Sequence, residues 1–174
     1  MSGTTIEQRT IAPARWTVDA DETSVEFSVR TFWGLSTVHG RFDGFDGYYE
    51  TGPDGPRIEL KVDADSLDTG NRTRDEHLRS DDFFHVVEHP LLRFASTRVH
   101  EVGLAGGIVH VVGELEAAGA VVELEFPATV RAVGGWLEVE ATTTVDQARF
   151  GMSDGLLGMI RRPATLHVKA RLTR

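Results

Sequence analysis

The side chains of this protein that could do chemistry crowd into one stretch. Between Asp65 and His89 stand His77, His85 and His89, the arginines Arg72, Arg74 and Arg79, and the carboxylates Asp75, Asp81 and Asp82. His85 and His89 have the i, i+4 spacing that puts two imidazoles on one helix face, where a metal site could begin. No glutamate follows the first of them as in a zinc-protease helix, and Pro90 limits any helix there, so no metal is expected. Asp81 and Asp82 could serve as a general acid and base only if they converged, and adjacent residues on a turn point apart. No nucleophile with a base partner is readable, so no catalytic residue is assigned and a non-enzyme is expected. The alternative is an enzyme acting on an apolar substrate through His77 and Asp75. The arginines also have two readings. Arg74 and Arg79 beside Asp75 form either a network that fastens this stretch to its neighbours or, with His77, contacts for a polar or phosphorylated head group, since guanidinium matches phosphate. The chain has no cysteine, which removes thiolate ligands, cysteine nucleophiles and disulfides.

The elements that must position these groups read as strands. From Trp16 onward apolar residues alternate with polar ones, the signature of strands half buried against an interior. Val25, Phe27 and Val29 form one such row; Ile58, Leu60 and Val62 another; Val122, Leu124 and Phe126 a third. Leu137 to Val145 and Leu166 to Leu172 continue the pattern. Turn residues separate the rows at Gly52-Pro53-Asp54-Gly55-Pro56, Gly103 to Gly107, Ala118-Gly119 and Gly134-Gly135. Gly44 and Gly47 interrupt Arg41–Glu50 and predict a bent strand. About eight antiparallel strands result, with spacing that suits a meander closed into a barrel, and closure also removes exposed edges. The stretch 65–90 breaks the alternation and is expected as a short helical insert over one barrel mouth. Arg72–Arg79 supplies about two helical turns, and Ser80 is an N-cap candidate for a second turn. Residues 1–15 are expected as a flexible tail and 16–174 as one domain.

The net charge of −9, from 18 Lys and Arg against 27 Asp and Glu, disfavours nucleic acid and anionic surfaces. No run approaches the roughly 20 apolar residues of a membrane-spanning helix. The start lacks the basic and apolar segments of a secretory signal, so a cytoplasmic location is expected.

Several motifs carry a family resemblance. They are Ser66-Leu67-Asp68-Thr69-Gly70-Asn71, Arg74-Asp75-Glu76-His77-Leu78-Arg79-Ser80, Asp82-Phe83-Phe84, His89-Pro90 and Phe94-Ala95-Ser96-Thr97. Together with Trp16-Thr17-Val18-Asp19, Ser24-Val25-Glu26-Phe27 and Gly40 to Gly47, this pattern resembles the YceI family over residues 16–173. The chain keeps Asp146, Phe150 and Gly151 of a further family pattern but has Gln147 where a basic residue is common. The resemblance implies a lipocalin-like barrel whose interior holds a polyisoprenoid, with bacterial members binding isoprenoid quinones or polyprenyl phosphates. Many members are exported. No cofactor is implied beyond the lipid. The tail is then expected along Phe27, Val29, Phe42, Phe45, Phe94, Phe126 and Val139, with Leu78, Phe83, Phe84 and Phe150 near the ends. Arg74, His77 and Arg79 are the head-group candidates. Family barrels are often seen paired, and Trp33 or Trp136, expected to be exposed, could serve a homodimer contact.

Overall fold

The computed structural model describes residues 13–31, 36–101, 107–152 and 163–174. Strand β1 (Ala14–Thr31) is the longest, and its alternation does not run unbroken. The pairing of β1 with β10 (Ala164–Thr173) shifts between Asp19 and Ser24. Such an irregularity reverses which parity faces inward. Val18 therefore points to the interior from one half of β1, and Val25 and Phe27 do so from the other. The strand begins at Ala14, so Ala14 and Arg15, expected in the tail, already pair with Thr51 and Glu50.

Strands β2 (Ser36–Phe42) and β3 (Phe45–Thr51) both lie antiparallel to β1, with Phe27 opposite Gly40 and Trp16 opposite Tyr49. They are two halves of one strand bent at Asp43 and Gly44, as the glycines predicted. The remaining strands are β4 (Arg57–Asp63), the two-residue β5 (Leu67–Asp68), β6 (Leu91–Glu101), β7 (Ile108–Ala117), β8 (Ala120–Val133) and β9 (Trp136–Val145). Hydrogen bonding runs β10-β9-β8-β7-β6-β4-β3-β1, and β1 returns to β10. With β2 and β3 counted as one bent strand, the ring has the expected eight antiparallel members. Among the described residues no helix is long and apolar enough to cross a membrane.

The insert occupies the chain between β4 and β6. Its neck is closed by the Ala64 N–H donating to the Pro90 carbonyl at 2.9 Å. The Gly44 N–H donates to Ser66 Oγ at 2.9 Å, which ties the neck to the bend in the second strand. Helix α1 (Arg72–Arg79) covers the two turns expected. Its N-cap is Asn71, whose side chain accepts from the Arg74 N–H at 3.0 Å. Ser80 does not begin a second helix. Its hydroxyl donates back to the His77 carbonyl at 2.6 Å and closes α1, and turns follow through Phe83 and Phe84.

Two apolar clusters fill the barrel. The larger lies at the insert end and includes Phe42, Val62, Leu67 and Leu92. The smaller lies at the other end around Val99, Val109, Val111 and Ala128. Phe94 and Phe126 pack against both.

Candidate functional site

The barrel interior is hollow in two places. A cavity of about 150 Å³ sits at the insert end, and one of about 130 Å³ sits toward the opposite end. An apolar cavity near this size stays dry and accepts a guest as large as benzene. The walls are almost wholly apolar because inward positions of every strand are apolar, as period-two alternation requires. Among the described residues the polar ones on the first cavity are Glu26 and Gln147.

Of the residues expected to hold a lipid tail, Phe27, Val29 and Phe42 line the first chamber from β1 and β2. Leu78, Phe83, Phe84 and Phe150 line it too, which brings the insert and the segment after β9 to the same end. Phe126 and Val139 line the second chamber, and Phe94 faces both. Phe45 is the exception. It packs against the larger cluster without lining either chamber, because it starts β3 just past the bend. The aromatic side chains meet in chains of contact: Phe27 with Phe42 at 5.4 Å, Phe42 with Phe84 edge-on at 5.9 Å, and Phe94 with Phe126 at 5.5 Å between centroids.

Sequence reasoning missed two kinds of residue. Leu60, Leu115, Leu166 and Val168 join Phe94 between the chambers, although their parity already placed three of them inward. Gly40 and Gly113 form the second kind. A Cβ at Gly40 would overlap the Phe27 ring, and one at Gly113 would lie 2.5 Å from Cζ of Phe94. Each aromatic ring thus lies on a glycine of the neighbouring strand. A strand glycine signals close approach, but the approaching group depends on register.

The insert's charged groups are occupied locally. Asp75, a buried carboxylate, accepts from the Thr69 N–H at 3.0 Å and from the Thr69 hydroxyl. Arg74 donates to the Thr69 hydroxyl at 2.8 Å and to its carbonyl at 2.9 Å. Arg79 donates to the carbonyls of Asp65 and Leu67 and pairs with the Asp65 carboxylate at 3.0 Å. These contacts match the fastening reading of the arginines. His77 lies 3.4 Å from Asp82, and its ring meets the Phe83 ring edge-on at 5.1 Å. His85 and His89 do not share a helix; they face each other edge-on at 5.7 Å across a turn in which His85 has φ +49°. Among the described residues no three His, Asp or Glu side chains converge on a metal position.

Asp146 accepts from the Ala148 N–H at 3.0 Å, and Gly151 closes that turn at φ +70°. This explains the spacing of Asp146, Phe150 and Gly151, for the turn drives Phe150 into the first chamber. Trp136 is half-buried under the Arg171 guanidinium, 4.7 Å from its ring, which corrects its expected exposure. Trp33 lies outside the described residues.

An eight-membered antiparallel ring around a hollow apolar interior defines a lipocalin-like barrel. Within that class the chain belongs to the YceI family, whose YceI-like domain model matches residues 16–172. It is 34% identical over 159 residues to a UPF0312 protein of Shewanella denitrificans, covering 86% of this chain and 78% of that protein. With a UPF0312 protein of Pseudomonas aeruginosa it shares 33% identity over 111 residues, or 62% of this chain and 54% of that protein. Among solved structures, BcnA of Burkholderia cenocepacia superposes with a TM-score of 0.78 at 17% identity, covering 88% of this chain and 98% of BcnA. A polyisoprenoid-binding domain from Saccharophagus degradans, implicated in plant cell wall breakdown, gives 0.74 at 19% identity, covering 91% and 97%. These two likenesses show the fold.

Proposed function

We propose that this protein binds an isoprenoid lipid, an isoprenoid quinone or a polyprenyl chain, in its barrel and sequesters or carries it. The observation that carries this reading is the pair of dry, aromatic-walled chambers with almost no polar lining. Such walls offer a branched hydrocarbon burial at roughly 0.8 kcal/mol per methylene and hardly any hydrogen bond. The relative from Saccharophagus degradans, described as polyisoprenoid-binding, supports the same ligand class. Affinity then comes from the tail. The head group contributes little, because Arg74 and Arg79 already serve carbonyls of the insert. His77, beside Phe83 at the first chamber, is the remaining head-group candidate.

The enzymatic alternative has less support. His77 and Asp75 are two residues apart on α1, and residues so spaced do not face each other. Asp75 is turned to Thr69 and His77 to Asp82. The test is organic extraction of protein purified from its native host, followed by mass spectrometry. An isoprenoid recovered in near-stoichiometric amount is the expected result. An empty extract, together with no saturable uptake of added geranylgeraniol, overturns the proposal.

A further inference from the structure

The two chambers meet at few side chains. Leu60, Phe94, Leu115, Leu166 and Val168 face both chambers, and Phe94 is the only aromatic residue among them. Its ring is held on one side by Gly113 of β7, where a Cβ would lie 2.5 Å from Cζ. On the other side stands the Phe126 ring, its centroid 5.5 Å away. Phe94 also packs against both apolar clusters, so it stands at the waist of the barrel. Gly113 is less forgiving than Gly40. At Gly40 the three atoms nearest an added Cβ all belong to the Phe27 ring, whereas at Gly113 the Ala95 carbonyl oxygen is among them at 2.6 Å. The Phe94 ring thus rests over Gly113 and beside the Phe126 ring.

The two chambers, at about 150 and 130 Å³, each have room for a guest near the size of benzene. A hydrocarbon tail longer than one chamber must therefore displace Phe94 or stay partly outside. We propose that Phe94 is the specificity-determining residue of the lumen, a gate that sets how much of an apolar chain the barrel takes in. This rests on the lumen being a lipid site. With the ring seated on Gly113, one chamber fills and the second stays closed to the chain. With the ring moved, the same tail reaches the walls around Phe126 and Val139.

The prediction concerns the dependence of affinity on chain length. Each methylene that enters an apolar wall tightens binding roughly fourfold, and each one left outside adds almost nothing. Geraniol, farnesol, geranylgeraniol and solanesol, in order of length, are titrated into the full-length protein by displacement of a fluorescent apolar dye. In the wild type, affinity climbs and then flattens, so that beyond one chamber a further isoprene unit changes Kd by less than about twofold. In Phe94→Ala the same added unit tightens binding by about tenfold or more, measured against geraniol in the same variant. Phe94→Leu, which retains most of the apolar volume, moves the flattening to longer chains even if the alanine variant unfolds. An unchanged flattening point in variants that still bind geraniol overturns the gate alone. A wild type that binds none of the four prenols overturns the lipid reading beneath it.

Discussion

In the insert, Asp75, Arg74, Arg79 and Ser80 each hold a particular backbone or hydroxyl group. In the lumen beside it, the described residues around the first chamber are apolar except for Glu26 and Gln147. The difference teaches where recognition can reside. Groups matched internally in this way have geometry but no vacancy for a guest. A region of unfilled apolar volume has vacancy but no directional contacts. The first therefore behaves as a fastening and the second as a receptacle. The arginine-rich stretch that looked richest in chemistry is the one least free to perform it.

The largest expected effect tests the receptacle. Phe27→Arg buries a guanidinium among hydrocarbon, at a cost of several kcal/mol unless the charge finds water. Prenol uptake is lost and the melting temperature falls steeply; a variant that still took up geraniol at wild-type affinity would break the contrast. Next comes the fastening. Asp75→Ala leaves the half-buried Thr69 N–H without its acceptor and is expected to cost about 1 kcal/mol. Amide exchange should speed up over residues 66–80 while the strands stay protected, and Asp75→Asn should recover part of the loss. Uniform exchange across the barrel would mean that the insert is not a separate unit. A smaller effect sharpens the shape of the first chamber. Gly40→Ala pushes the Phe27 ring into the cavity, an overpacking of about 1 kcal/mol or more. Short and long prenols alike should then bind several-fold more weakly. Adding Phe27→Leu to the same chain should restore them, and failure of that rescue would show that the ring is not the obstacle.

The smallest effect lies on the outer wall. Glu59 accepts from Arg93 at 2.7 Å and lies 3.2 Å from Lys61. The hydrogen bond from Arg93 holds its carboxyl below the ordinary range, with Lys61 assisting and burial opposing. A carboxyl depressed in the folded state contributes stability above its ordinary value and loses it as pH falls through the folded one. Glu59→Gln should therefore lower stability by less than about 1 kcal/mol at neutral pH. The gap from wild type should close on acidification, measured as a difference in melting temperature. A gap that widened in acid would contradict the pairing.

Much of this was legible in the chain itself. Alternation located the strands, and Gly44 located the bend. The parity of Phe27, Val29 and Val139 placed them on the inside. The two-turn helix at Arg72–Arg79 was also readable, but the part of Ser80 was not, because its hydroxyl can serve the helix before it or the turn after it and only geometry chose between them. Phe45 was misjudged as lining because a bend resets the direction of the side chains that follow it. The glycine beds under Phe27 and Phe94 were invisible because they depend on which residue of the next strand lies alongside. Trp136 was misjudged because the cation that covers it comes from Arg171 on another strand.

The seam between β1 and β10 joins Thr17 to Thr173. Leu166 and Val168, which line both chambers, belong to that closing strand. During synthesis the vessel therefore has no sealed side until β10 has emerged, and closing so distant a pair is slow compared with hairpin formation. Under the proposed lipid binding, a guest is enclosed only after that stave is seated. A nascent chain paused before β10 would be an open trough, with its oily lining turned to water.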